Sequence, residues 1–299
     1  MPFTFLPNGC SWYETHKLGG CQRRAHPRTE CNSASSGVAN VVSTHRLAVL
    51  VPYRSPTGSR VDSAQLVPLC ERLHGHLARS SVPFQLFVIN QVDNRPFNRG
   101  ALANAAITTL RNEPEASSFD YVAVHDVDRF PVSSNHSECD TTISAYYAFP
   151  ARSPRVLHPS SFAGGVLVVR RALFEAVNGF SNSYWGWGEE DNDLFLRLRW
   201  CGLPPEHGQR LEECMEHRDC EACKRQKQQL DAGVLRAHEQ RLRERLPHPR
   251  RYMLRDGIDS LNFTLRRRPH RISCGRGRRA SSGRLSAFVI DVDFSNHFP

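Results

Sequence analysis

The stretch Tyr121-Val-Ala-Val-His-Asp-Val-Asp-Arg-Phe130 decides the fold. An apolar run from Phe119 to Val124 spills into two aspartates, Asp126 and Asp128. A short apolar run bounded by turn signals reads as a buried strand. Upstream, Arg46-Leu-Ala-Val-Leu-Val-Pro-Tyr-Arg54 has the same form: Leu47 to Val51 is apolar and Pro52 ends it, as in a parallel strand buried on both faces. Leu66, Leu69, Leu73 and Leu77 have helical spacing and predict a helix over Asp62–Arg79. Val82–Asn90 reads as a second strand and the alanine-rich Phe97–Leu110 as a second helix. Strand and helix alternating in this way predict an α/β fold with a mostly parallel central sheet. Its ligand sites belong past the carboxyl ends of the strands, where Tyr53-Arg54, Asn90-Gln91 and Asp126–Asp128 fall.

Downstream, Phe162–Arg170 is a further strand with Gly164 and Gly165 at its mouth, and Arg171–Val177 a short helix. Next comes Asn178-Gly-Phe-Ser-Asn-Ser-Tyr-Trp-Gly-Trp-Gly-Glu-Glu-Asp-Asn-Asp193. Leu194 and Leu198 continue it at helical spacing, so its last carboxylates sit in a helix's first turn, where negative charge is favourable. Glu212–Leu246 is highly charged and reads as a helix interrupted at Gly233, and Met253–Leu265 as mixed loop and strand. A basic stretch follows from Arg266 to Arg284, and Ser286–Asp293 looks like a late strand. The expected division is a loosely attached arm at 1–44, a catalytic domain at 45–265, and a basic tail with a possible late strand at 266–299.

Composition narrows the partners. The 299 residues, 39% hydrophobic and 23% charged, can bury a full core. The net charge of +9 would suit phosphates, anionic membranes, nucleic acid or sulphated glycans. The positives concentrate in Arg236–Arg255 and after Leu265, as in a solvated helix face and a basic tail, so no nucleic-acid partner is expected. No run approaches the roughly 18 apolar residues of a membrane span, and the first thirty residues lack a signal-peptide core. No anchor is visible. Ten cysteines permit disulfides without requiring them.

Chemistry enters through three clusters. Asp126 and Asp128 present hard oxygens suited to Mg²⁺ or Mn²⁺, ions that complete their shells with phosphates and water. The competing reading is a strand-end cap, and Asp291-Val-Asp293 shows how easily such a pair arises. In the second cluster, tryptophan faces beside carboxylates suit sugars, whose C–H faces stack while their hydroxyls hydrogen-bond. The alternative there is an aromatic core patch with a helix cap. Crowded carboxylates repel unless a cation, an arginine or a hydroxyl network compensates. A metal at Asp128 would neutralise a nucleotide's diphosphate while an opposing carboxylate deprotonates an acceptor hydroxyl. A metal hydrolase would use the same parts with water as acceptor. In the third cluster, Cys214, His217, Cys220 and Cys223 fit zinc, disulfides or helix-face packing.

These motifs together resemble the β-1,4-galactosyltransferases. The matching segments are Val51-Pro-Tyr-Arg54, Phe97-Asn-Arg99, His125-Asp-Val-Asp128, Gly164-Gly165, Asn178-Gly-Phe-Ser-Asn182, Trp185-Gly-Trp-Gly-Glu-Glu-Asp191 and Asp256-Gly-Ile-Asp-Ser-Leu261. The His-Asp-Val-Asp and Gly-Phe-Ser-Asn forms are most similar to the branch that adds galactose to xylose on proteoglycan core proteins. The resemblance implies a GT-A-like nucleotide-sugar transferase fold, Mn²⁺ and UDP-galactose. The implied reaction is inverting transfer to the 4-hydroxyl of a glycan or glycoprotein acceptor, with xylose first and, second, galactosyl or N-acetylgalactosaminyl transfer to terminal N-acetylglucosamine. A non-enzymatic carbohydrate-binding protein is the rival of a different class.

Carried over by position, Pro52, Tyr53, Arg54, Phe97, Arg99, Asp126, Val127, Asp128 and Trp187 would meet the nucleotide and its phosphates. Asp128 and His217 would hold the metal, with Cys214 or Met215 near a further ligand position. Phe162, Gly164, Gly165, Trp187, Glu190 and Asp191 would meet the sugars, and Asp191 would be the catalytic base. Asn192 departs from the usual aspartate and Phe162 from a common tyrosine, which bears on donor choice. The family resides in the Golgi lumen.

Overall fold

β1 (Leu47–Tyr53) lies within the central sheet with every residue buried. The computed structural model describes residues 45–55, 63–80, 82–112, 118–132, 137–157, 163–207, 211–217, 232–273 and 286–296. β1 pairs in parallel with β2 (Phe84–Gln91) on one side and β3 (Tyr121–His125) on the other. Because alternate residues of a strand face opposite ways, β1 feeds two cores. Ala48 and Leu50 join the cluster under α2 (Arg99–Asn112). Leu47, Val49, Val51 and Tyr53 join the one under α1 (Ser63–Arg79), with Leu66, Leu69, Leu73 and Leu77. Alanines at 101, 103, 105 and 106 keep α2 close to the sheet.

The sheet extends beyond this parallel centre. Past β3 come β6 (Val166–Arg170), antiparallel, then β5 (Arg155–Val156) and β7 (Glu206–His207). Past β2 comes β11 (Ser286–Asp293), parallel, which also pairs with β9 (Thr264–Leu265) and β10 (His270–Ser273). The sheet thus continues through residue 265, and the late strand is one of its inner members. Asp291 and Asp293 close this end structurally: Asp291 accepts from Asn90 at 2.9 Å and pairs with Arg267, while Asp293 pairs with Arg266. Residues 1–44 lie outside the described residues.

One expectation is overturned. The helix expected over Glu212–Leu246 does not begin at its N-terminal end: Glu212–Cys214 is a 3₁₀ turn, and Met215–His217 is a strand, β8, antiparallel to β4 (Arg129–Pro131). Among the described residues of that stretch, Ala232–Arg245 forms an α-helix, α6. Tertiary contacts outweigh helix propensity at 214–217 because Cys214 is bonded to Cys139 of α3 (Ser137–Tyr147) and Met215 is buried in the second core. That disulfide removes Cys214 from the zinc reading; Cys220 and Cys223 lie outside the described residues. No helix among the described residues is long and apolar enough to cross a membrane.

The Cys139–Cys214 bond spans 75 residues of sequence. Loop-closure entropy for such a span predicts that Cys139→Ser costs about 4 kcal/mol of stability. Thermal melts of wild type, reduced wild type and the variant measure this; identical midpoints would mean the bond is not formed.

Candidate active site

The site is built where β3, α2 and the acidic helix α5 (Glu190–Trp200) converge. Asp126 follows β3 directly, and its N–H donates to the Gly165 carbonyl at 2.9 Å. Its carboxylate accepts from Arg99 Nε at 2.6 Å and from the Gly165 N–H at 3.1 Å. Arg99, the first residue of α2, also lies 3.9 Å from Glu190 Oε1 in the first turn of α5. Both Arg99 Nη atoms are buried without a hydrogen-bond partner. The Ala163 N–H donates to the Asp191 carbonyl at 3.3 Å, so the mouth of β6 bridges Asp126 to the acidic helix. Asp126, Arg99, Gly164, Gly165, Glu190 and Asp191 therefore form one neighbourhood. Phe162 lies outside the described residues.

Electrostatics follow from that crowding. Burial opposes the charge on Arg99, but Asp126, Glu190 and Asp191 outweigh it and hold its pKa above the ordinary value. Burial and then the Asp191 charge push Glu190 up to about 8, against the pull of Arg99. Burial also raises Asp191, with Arg99 opposing. The site thus holds a carboxyl that keeps its proton near neutrality beside a carboxylate made more basic, which is the division of labour acid–base chemistry needs.

Asp128 lies two residues beyond Asp126, in the turn between β3 and β4. Its Oδ2 is 3.3 Å from His217 Nε2, brought there by β4–β8 pairing that sets Arg129 opposite His217. Burial and Asp126 raise the Asp128 pKa, while His217 lowers it. No group of three or more such ligands occurs among the described residues, which offer a carboxylate and an imidazole here. One hard oxygen and one nitrogen suit Mn²⁺, with phosphate and water completing the shell. The donor set fits that ion.

The residues expected to meet the nucleotide include the end of β1. Arg54 donates to the carbonyls of Asp93, at 3.3 Å, and Arg95, and its Nε is buried without a partner. Burial lowers its pKa, opposed by Asp93. Pro52 and Tyr53 are buried, and Phe97 and Val127 are partly buried against the two cores.

The aromatic–acidic stretch divides between core and surface. Trp185 packs inward, with the Arg95 guanidinium 4.1 Å over its ring and Phe294 edge-on at 5.7 Å. Trp187 is 53% exposed, between Gly186 (φ 95°) and Gly188 (φ 107°) in the left-handed region that glycine tolerates. Asp193 turns away into the protein, accepting from Arg197 Nε at 2.5 Å, Arg245 Nη1 at 2.8 Å and Tyr184 Oη at 3.2 Å. The helix turn therefore separates Glu190 and Asp191 from a structural Asp193. Asn192 Nδ2 donates to Glu189 Oε2 at 2.8 Å. Sequence reading missed the Cys139–Cys214 pairing and the buried Arg245 partner of Asp193. The separations, 75 and 52 residues, leave no local signal.

Residues 24–140 match the family described as the N-terminal region of glycosyl transferase group 7, and residues 148–218 match the N-terminal domain of galactosyltransferase. Beta-1,4-galactosyltransferase 7 of Drosophila melanogaster is 37% identical over 163 residues, which are 54% of this chain and 47% of that protein. The chain thus spans about half the length of the curated relatives it matches. The crystal structure of the catalytic domain of Drosophila beta-1,4-galactosyltransferase 7 with xylobiose superposes at a TM-score of 0.62 and 27% identity, covering 83% of this chain and 93% of that one. A mutant of that Drosophila enzyme in complex with manganese, UDP-Gal and xylobiose gives 0.60 and 25%, with the same coverage.

Because the Glu190 pKa is raised in the folded state, ionising this carboxyl costs stability as pH climbs from its ordinary value of 4.5 to about 8. Glu190→Gln removes that cost. Its melting temperature should exceed that of wild type by a margin that widens from pH 4.5 to pH 8; a margin independent of pH would show that Glu190 is not perturbed.

Proposed function

The chain belongs to the galactosyltransferase family of glycosyltransferase group 7, and from that premise we propose that it moves galactose from UDP-galactose to the 4-hydroxyl of xylose on a proteoglycan linker, with Mn²⁺ and with inversion. The observation that carries the reading is the adjacency of two pairs, Asp128–His217 and Glu190–Asp191, around the Arg99–Asp126 ion pair. A hydrolase needs no exposed indole beside its acids, and a sugar-binding protein needs no carboxylate–imidazole pair.

Asp191 takes the proton from the acceptor hydroxyl as that oxygen attacks the anomeric carbon. The new C–O bond forms on the face opposite the phosphate, the bond to UDP breaks, and configuration inverts. Arg99 favours the ionised form of Asp191, and burial makes it a stronger base than a solvent-exposed aspartate. Glu190, protonated for part of the time near neutrality, binds a sugar hydroxyl as donor or acceptor. Trp187 offers its indole face to the C–H side of a sugar ring. Asp128 and His217 would hold Mn²⁺, whose charge neutralises the departing diphosphate. The unpartnered donors of Arg54 and Arg99 are further places for nucleotide oxygens.

The xylose acceptor is supported by likeness to a Drosophila enzyme solved with xylobiose. For compartment we propose the Golgi lumen, and the Cys139–Cys214 disulfide supports an oxidising environment.

The direct test offers purified protein UDP-galactose and Mn²⁺ with a β-xyloside or an N-acetylglucosaminide. Transfer to the xyloside is expected; transfer only to the second sugar moves the acceptor, and transfer to neither removes the reading. Asp191→Asn should lower turnover by roughly 100- to 10,000-fold, the usual worth of a general base. Mn²⁺-dependent UDP binding should persist in that variant and disappear in Asp128→Ala, as isothermal titration would show.

A further inference from the structure

Asp128 directly precedes β4 and His217 ends β8, so their 3.3 Å separation depends on the register of one short strand against the other. Strands of three residues are too short to hold a register by themselves. A slip of one residue would carry His217 along the strand by about 3.3 Å and turn it to the other face. The disulfide anchors β8 at Cys214, before the strand begins. Something must also fix its far end.

Helix α1 supplies that restraint. Arg72 and His76 stand one helical turn apart, on one face. Arg72 Nη1 donates to the Pro131 carbonyl of β4 at 2.8 Å and to Glu216 Oε1 of β8 at 2.7 Å. One nitrogen thus bonds both strands. Alternate residues of a strand face opposite ways, so Glu216 turns to Arg72 while its neighbour His217 turns to Asp128. His76 is buried, and its Nε2 donates to the Val132 carbonyl at 2.8 Å. The Val132 N–H donates in turn to the Cys214 carbonyl at 2.9 Å. His76 Nδ1 lies 2.6 Å from Asp140 Oδ1 of α3, which also accepts from Arg79 at 2.8 Å. The Arg72–Glu216 pair is partly open to solvent and adds little to overall stability, so its value lies in geometry.

We propose that Arg72 is a positioning residue for the metal pair: by bonding both strands of the small sheet from α1, it fixes the register that sets His217 against Asp128. His76, one turn on, holds the end of β4 in the same way. This rests on the reading that Asp128 and His217 hold Mn²⁺. Loosening the sheet weakens the grip on the metal without touching the groups that meet the sugars.

Two variants and a second background test it. Arg72→Met removes both bonds and keeps the aliphatic stem, whereas Arg72→Lys keeps a donor. Mn²⁺ affinity in the presence of UDP, measured by isothermal titration, should fall roughly ten- to a hundredfold in Arg72→Met and return toward wild type in Arg72→Lys. Galactose turnover at saturating Mn²⁺ should stay near the wild-type value, so that the loss appears in the metal requirement. Added to His217→Ala, the methionine substitution should lower Mn²⁺ affinity no further. Unchanged affinity in Arg72→Met overturns the proposal, as does an equal loss with and without His217, which would mark a general loosening. If wild type itself binds no Mn²⁺, the proposed metal pair fails. Hydrogen exchange of 129–132 and 215–217 then judges the clamp alone, and exchange no faster in Arg72→Met than in wild type removes it too.

Discussion

One guanidinium makes the carboxylate-rich centre of this protein possible. Arg99 bonds Asp126 through Nε and faces Glu190 and Asp191 with its remaining edge. Without it, three carboxyl groups would meet in a partly dry pocket with mutual repulsion and no counter-charge. With it, the start of α2, the end of β3 and the start of α5 are drawn to one point. Leaving a buried carboxylate uncompensated costs several kcal/mol, so this pair is a condition for the local fold as well as for chemistry.

A second charged network works behind the first. Asp193 and Asp256 share Arg245, and Asp193 also binds Arg197, whose Nη1 donates to the carbonyls of Gly179 and Asp256. Asn182, Ser181 and Ser183 add donors to Asp256. This network fastens α5, α6 and the 178–184 segment together on the inner side of the acidic helix. The outer side is left to Glu190 and Asp191. A run of acids that looks uniform on paper is thus divided by the helix turn into members that face Arg99 and a structural one.

The candidate metal pair rests on a different device. β4 and β8 form a small sheet apart from the central one, and their register places His217 beside Asp128. The Cys139–Cys214 bond holds β8 from one side and the Arg72–Glu216 ion pair, at 2.7 Å, from another. Short strands are weak alone, and this one borrows its order from α3 and α1.

The parallel strands, the helices at 63–79 and 99–112 and the late strand at 286–293 were legible in the sequence because their apolar residues recur at the period each element buries. Asp126 and Asp128 were legible because they follow such a strand directly, and the Trp-Gly-Trp-Gly motif because its residue types occur together so rarely. The bond from Cys139 to Cys214, the conversion of 215–217 from helix to strand and the inward turn of Asp193 were decided by tertiary structure alone. Each joins groups far apart in the chain, and periodicity describes only what a segment does with its own neighbours.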